Sequence, residues 1–226
     1  MIKVCVISDL HGNLQELEPS ELILICGDII PLRFQNNSKY SKEWYNYVFK
    51  EWIDKQRCDK ILFVPGNHDL DIEQSTQTYK NMFPYYTKAT MLINESYDYL
   101  GSDGKIYHIF GTPYCHIFGN WAFMKYESDL VKVYSDIPDN LDILISHDAP
   151  YGCSDVCVQN LRNPTEHLGN IPLREAVLKK KPKVLYHGHL HSSNHKCEML
   201  GETKVYNTSL VDEYYNLAYN PLYETI

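Results

Sequence analysis

The chain has 226 residues, of which 44% are hydrophobic and 22% charged, with a formal net charge of −8. That is enough apolar material for a real core, and the acidic balance repels nucleic acid and anionic membranes unless a local basic patch offsets it. Apolar runs such as Leu22 to Cys26 are too short to span a bilayer, and Asp9 and His11 break the N-terminal apolar stretch before a signal-peptide pattern develops. Membrane-spanning, secreted and disordered classes are therefore set aside, and one cytoplasmic domain over residues 1–226 is expected.

In chain order, an apolar strand from Ile2 to Ile7 runs into Ser8-Asp9-Leu10-His11-Gly12, and a second, Leu22 to Cys26, ends in Gly27-Asp28. Pro19 interrupts the short stretch between them, which leaves room for no more than a very short helix. Ser41 to Gln56 is predicted as the strongest helix, capped by Ser41, with Glu43 in its first turn and Trp44, Val48, Phe49, Trp52 and Ile53 as its apolar stripe. A third strand, Ile61 to Val64, ends at Pro65-Gly66-Asn67-His68-Asp69. Met91 to Tyr99 and Lys105 to Phe110 are predicted strands joined through Gly101-Ser102-Asp103-Gly104. Leu141 to Ile145 ends at Ser146-His147-Asp148. A helix from Leu173 to Lys180 comes next, then a strand at Val184 to Tyr186 running into His187-Gly188-His189-Leu190-His191, and a last strand at Lys204 to Tyr206.

Several of these strands end in clusters of Asp, Asn or His, and ligands in α/β sheets bind at the carboxyl ends of strands. Asp9 and His11 are one residue apart, as are His189 and His191, while Asp28, Asn67 and His147 directly follow strands. Together they offer two carboxylates, one amide oxygen and four imidazoles. Seven ligands are too many for one zinc ion, and suit two divalent ions sharing a carboxylate. Oxygen and imidazole without thiolate favour manganese, iron or zinc. A lone strand-end His or Asp is usually a cap or turn residue, and His108, His116, His167, His187 and His195 are expected to be of that kind. Seven cysteines, at 5, 26, 58, 115, 153, 157 and 197, contain no C-x-x-C knuckle. Reduced thiols are expected, with a weak structural metal site at Cys153 and Cys157 as the alternative.

In this order, Asp9-x-His11, Gly27-Asp28, Gly66-Asn67-His68-Asp69, His147 and Gly188-His189-x-His191 resemble the five motifs of the calcineurin-like metallophosphoesterases. The resemblance spans most of the chain. It implies an α/β fold, a four-layer αββα sandwich of two mixed sheets flanked by helices. It also implies one ion on Asp9, His11, Asp28 and His191 and a second on Asp28, Asn67, His147 and His189, with Asp28 as the bridge. His68 matches the family's substrate-contacting proton donor, and Asp69 is a candidate to orient it or to support the turn. The implied cofactors are two divalent ions, manganese or iron, with zinc also compatible. The implied reaction is in-line attack of a metal-held hydroxide on a phosphoester, with His68 as the leaving-group acid.

Gly111-Thr112-Pro113, Asn120-Trp121-Ala122-Phe123, Asp142 to His147, and Asn207-Thr208-Ser209 followed by Tyr214 or Tyr215 and Asn220-Pro221 look like the MPPED-type subfamily. That likeness implies a phosphodiesterase for small phosphodiesters, nucleotides and cyclic nucleotides among them. The run Gly27-Asp28-Ile29-Ile30-Pro31-Leu32-Arg33 lacks the second Asp of the protein phosphatases, which disfavours that branch. A nuclease, a phosphomonoesterase and a non-catalytic protein-binding scaffold remain the alternatives. Lys179-Lys180-Lys181-Pro182-Lys183 is the one basic cluster, and its place at a helix end explains it without nucleic acid. Asp148-Ala149-Pro150 departs from the family's Gly-Pro-Pro, and the aromatic segment Tyr114 to Tyr126 is read either as a base-stacking surface or as filler beneath a loop.

Overall fold

Short runs of Val, Ile and Leu bounded by polar turns cannot be left half-wet, so they pair as central strands buried on both faces. The computed structural model describes residues 1–157, 163 and 165–226. Its strands are β1 (Lys3–Ile7), β2 (Leu22–Ile25), β3 (Lys60–Phe63), β4 (Ala89–Met91), β5 (Glu95–Leu100), β6 (Ile106–Thr112), β7 (Cys115–His116) and β8 (Met124–Lys125). They continue as β9 (Ile143–Ser146), β10 (Val184–His187), β11 (Glu198–Leu200), β12 (Thr203–Asn207) and β13 (Leu222–Thr225). The helices are α1 (Ser38–Glu43), α2 (Lys50–Lys55), α3 (Leu70–Gln74), α4 (Thr76–Tyr86), α5 (Glu127–Ser135) and α6 (Ile171–Lys180); a π-helical turn, Trp44–Phe49, joins α1 to α2.

One sheet has the order β13-β1-β2-β3-β4 and the other β11-β12-β10-β9-β6-β5. Both are mixed. Their central pairs are parallel, and β13, β11 and β5 join their neighbours antiparallel. Val4, Val6, Leu24 and Leu62 of the first sheet pack on Ile109, Ile143, Ile145 and Tyr186 of the second. The outer face of the first sheet carries Tyr45, Phe49, Ile53, Tyr79 and Phe83 from the helices, and the outer face of the second carries Leu130, Tyr134, Leu173 and Val177. The layers are therefore helix, sheet, sheet, helix, the α/β architecture expected.

Three local expectations are corrected. The first long helix begins at Ser38, not Ser41. Asn37 caps it, its side chain accepting from Tyr40 N at 3.2 Å, while Ser41 is buried and donates to Phe34 O. Asn is at least as good a cap as Ser. The apolar stripe also shifts, because the wider π turn puts Tyr45 inside and leaves Val48 47% exposed. Met91 to Tyr99 is not one strand: the chain leaves the first sheet after β4 and enters the second at β5, turning at Asn94 (φ 54°). Helices α3, α4 and α5 are not among the expected elements, and they bury Ile72, Tyr79, Phe83, Leu130 and Tyr134 against the outer faces of the sheets.

At one end the two sheets are stitched together. Ser8, just past β1, donates its backbone N–H to Thr208 O at 2.8 Å, and Leu210 N donates back to Ser8 O at 3.0 Å. The carboxyl ends of β1, β2, β3, β9 and β10 carry Asp9, Asp28, Asn67, His147 and His189 to this seam.

Candidate metal centre

The segments leaving these strands turn sharply. Asp9 and His11 take left-handed backbone angles (φ 52° and 42°), as do Asp28 (φ 52°) and His189 (φ 69°). Residues with a Cβ enter this region rarely, and such strain concentrates at functional sites. Crowding dictates two of the turn glycines. A Cβ on Gly66 would strike Asp28 Oδ1, and one on Gly188 would strike Ser8 Oγ and Asp9 Oδ2.

Asp28 sits at the centre of the cluster. Its Oδ1 accepts from His68 N at 2.8 Å, and its Oδ2 lies 3.5 Å from His147 Nε2, 3.8 Å from His11 Nε2 and 3.9 Å from His68 Nε2. Asp9 accepts from His189 N at 3.0 Å and faces His191 Nε2 at 3.4 Å. Asn67 Oδ1 meets His147 Nε2 at 2.8 Å. Ligand atoms of Asp9, His11 and His191, and of Asp9, Asp28 and His147, come within 4.8 Å of one another, and all five residues are buried. Asp9 thus belongs to both groups, and Asp28 reaches the imidazoles of both. The His189 ring lies further out, 5.0 Å from that of His147.

The imidazoles are aimed by backbone carbonyls. His147 donates from Nδ1 to Cys26 O at 2.8 Å and His191 from Nδ1 to Asp212 O at 3.0 Å, so in each ring Nε2 faces the carboxylates and is the nitrogen that offers a lone pair once the ring is neutral. Burial opposes charge on both rings, yet Asp28 raises His147 to about 10 and Asp9 raises His191 to about 9. Burial also opposes charge on Asp9 and Asp28, but the facing imidazoles win and hold both carboxyls below their usual range. His11 and His189 go the other way, down to about 4, chiefly through burial. Both ring nitrogens of His11 are buried without a hydrogen-bond partner, an arrangement that is unfavourable unless something binds them. With oxygen and imidazole donors converging around it, that orphaned ring fits a divalent-metal site.

His68 belongs to the rim. Its Nδ1 meets Gln35 Oε1 at 2.5 Å, Trp121 packs on its ring at 4.6 Å, and Tyr215 packs against His11 at 4.8 Å and His191 at 5.4 Å. The carboxylate of Asp69 goes elsewhere: it accepts from Gly66 N, Ile29 N, Ile30 N and the Tyr45 hydroxyl, so it supports the turns, and its bonds do not include the His68 ring. Burial first, and then the nearby Asp28, raise its carboxyl above the usual range.

Asp148 neither enters the cluster nor faces solvent. It is fully buried, accepting from His116 Nδ1 and N and from Asn170 Nδ2. Arg33 is exposed and stacks over Phe34. The Tyr114 to Tyr126 segment divides: Phe123 and Ala122 fill the core, Trp121 reaches His68, and Phe118 is half-exposed beside His189. Lys180, Lys181 and Lys183 of the basic run each pair with a carboxylate. Gln35 has no counterpart in the sequence reading; it lies 33 residues from His68, and no local pattern marks it.

Residues 2–193 match the profile of the calcineurin-like phosphoesterase family. The chain belongs to that family. It is 24% identical over 207 residues to metallophosphoesterase domain-containing protein 1 of Homo sapiens, a match covering 83% of this chain and 60% of the human protein, so it spans less than two thirds of that relative. It is also 24% identical over 242 residues to UPF0046 protein C25E10.12 of Caenorhabditis elegans, covering 98% of this chain and 79% of that one. Among solved structures, TT1561 of Thermus thermophilus superposes with a TM-score of 0.60 at 16% identity, over 91% of this chain and 88% of that one, a likeness of fold. Among the described residues, no helix is long and apolar enough to cross a membrane.

Proposed function

We propose that the chain is a phosphodiesterase for small phosphodiesters of the nucleotide class. In this reading Asp9, His11, Asp28, Asn67, His147, His189 and His191 hold two divalent ions, manganese or iron. When bound, two such ions polarise the phosphoryl oxygens and acidify water, which is the chemistry that phosphoester hydrolysis lacks in solution. The residues of the chain supply position and protons. Gln35 Oε1 accepts from Nδ1 of His68, which leaves Nε2, 3.9 Å from Asp28 Oδ2, as the nitrogen that delivers a proton to the departing alkoxide. Trp121 and Tyr215 wall this side with rings that limit the access of water.

One observation carries the preference for diesters. Among the described residues, no lysine or arginine forms an ion pair or side-chain hydrogen bond with any of the seven donors or with His68. A phosphomonoester is close to a dianion at pH 7 and gains from such cations, whereas a diester carries a single charge. The seven cysteines are all free, which supports residence in a reducing compartment such as the cytoplasm.

The test compares bis-p-nitrophenyl phosphate with p-nitrophenyl phosphate on metal-stripped protein reloaded with manganese. Manganese-dependent turnover that favours the diester is expected. His68→Ala should lower kcat by about 10²–10⁴-fold on diesters with alkyl leaving groups, and less on p-nitrophenyl esters, with metal content unchanged. A preference for the monoester overturns the proposal, and two bound ions without turnover of either ester point to the scaffold reading.

A further inference from the structure

Beside the metal centre, and sharing no residue with the Gln35, Trp121 and Tyr215 surround of His68, lies a cleft of about 420 Å³. It lies within the roughly 300–1,000 Å³ of small-molecule sites. His189 joins it to the donor cluster: its backbone N–H donates to Asp9, its ring is 5.0 Å from that of His147, and on the cleft side it is 5.0 Å from Phe118. Leu190, Leu168 and Cys157 form an apolar wall, and Glu213 and His116 supply the polar groups. Phe118 is 50% exposed, a large ring left only half covered.

A phosphodiester has two organic arms. The P–O bond to one arm breaks, that oxygen takes a proton, and a P–O bond to water's oxygen forms; the other arm stays on phosphorus. If His68 serves the departing arm, the retained arm needs a place of its own, which a monoester never requires. Resting on the phosphodiesterase reading, we infer that the cleft at His189 and Phe118 binds the retained arm of the substrate, and that this arm is an uncharged nucleoside whose base packs on Phe118.

Charge narrows the class. Among the described residues no lysine or arginine lines the cleft, and the Glu213 carboxylate stands in its wall, held by Ser192 N at 3.0 Å and Ser192 Oγ at 2.9 Å. His116 is paired with buried Asp148 at 3.1 Å, which balances its charge. A second phosphate on the retained arm would meet this carboxylate with no matching cation among the described lining residues, whereas the N–H edge of a base finds an acceptor. Nucleoside monophosphate diesters fit these walls; nucleoside polyphosphates and long nucleic-acid strands do not.

The experiment keeps the leaving group constant and changes the retained arm. With manganese-loaded protein, kcat/KM for thymidine 5′-(p-nitrophenyl phosphate) should exceed that for methyl p-nitrophenyl phosphate by about tenfold or more, the scale of one base stacked on one ring. Phe118→Ala and Phe118→Leu should each bring that ratio to near unity. Tyr126→Ala, which alters an exposed ring of the same segment outside the cleft, should preserve it. Binding of thymidine 5′-monophosphate to the same proteins is measured by calorimetry, so that the cleft and the reaction are tested separately. Turnover of both esters with equal kcat/KM overturns the cleft assignment and leaves the phosphodiesterase reading standing. Failure to turn over either ester, with thymidine monophosphate bound in a Phe118-dependent way, overturns the reaction and retains the cleft. Absence of both turnover and Phe118-dependent binding overturns the two together.

Discussion

The space between the two sheets and the seam at their carboxyl ends are made from the same strands under opposite rules. Between the sheets, Val4, Val6, Leu24, Leu62, Ile109, Ile143 and Ile145 are fully buried and wholly apolar, in regular strands. A few residues further along, four of the seven candidate ligands sit at left-handed φ, His11 keeps two unpartnered nitrogens, and buried carboxylates lie among buried imidazoles. The strained turns and the unpartnered ring of the seam oppose folding. The sandwich holds them in place, which is how a protein keeps a strained, polar arrangement ready for a ligand.

Changes at the seam should therefore abolish binding whatever they do to folding, and changes between the sheets should weaken folding and leave binding intact. The largest effect is expected from Gly66→Ala and Gly188→Ala, whose new methyl groups would displace Asp28 and Asp9. Metal affinity should fall by about 100-fold or more, the upper end for disturbed metal surroundings, and the melting temperature of the metal-free protein should fall too, since the Gly66 methyl also meets the Asp28 backbone nitrogen and the Gly188 methyl meets buried Ser8. Metal titration beside calorimetry checks this, and wild-type affinity in either variant would show the approach to be loose.

Leu24→Ala is the complementary change. It empties space between the sheets and should cost about 2–5 kcal/mol of stability. For a chain of this length that lowers the melting temperature by roughly 5–15 °C, while metal stoichiometry and turnover well below the transition stay as in wild type.

The smallest effect is set by pH. His147 and His191 have folded values of about 10 and about 9 without metal, above the roughly 6.5 of an unfolded histidine. Their pairing with Asp28 and Asp9 therefore stabilises the metal-free fold fully below that unfolded value and is lost as pH rises through 9 and 10. Melting temperature without metal should decline across this window. With manganese it should hold or rise, because the ion takes only the neutral ring. A parallel pH dependence in the two states would contradict the link.

How much of the molecule was legible in the chain depends on how local each feature is. Asp9, His11, Asp28, Asn67, His147, His189 and His191 stand within a few residues of strand ends, and an apolar run followed by a polar cluster is visible in one dimension. The sandwich came with the family resemblance that these clusters carry, since the runs alone announce strands and not how two sheets face each other. Gln35 and Glu213 come from loops whose position is settled only when both sheets have formed, so no spacing announces them, and Phe118 was legible only as one ring of the aromatic segment Tyr114 to Tyr126. Asp69 was legible as a residue but not as a role: adjacency to His68 suggested a partner, whereas its carboxylate faces backwards into the turns. Strand β13, short and only partly buried, pairs with a strand more than two hundred residues earlier, and local pattern cannot report such a contact.

The π-helical turn at Trp44–Phe49 has a reach beyond its own helix. By widening one turn it directs Tyr45 inward, where the hydroxyl donates to Asp69 Oδ1 at 2.6 Å, and Asp69 in turn fastens the loops that present Asp28 and Asn67. Deleting one residue from this surface helix would restore an ordinary turn and rotate α2 by about 100° relative to α1. Chain length within that helix is thereby tied to metal chemistry: relatives with a helix one residue shorter must anchor the equivalent of Asp69 by another donor.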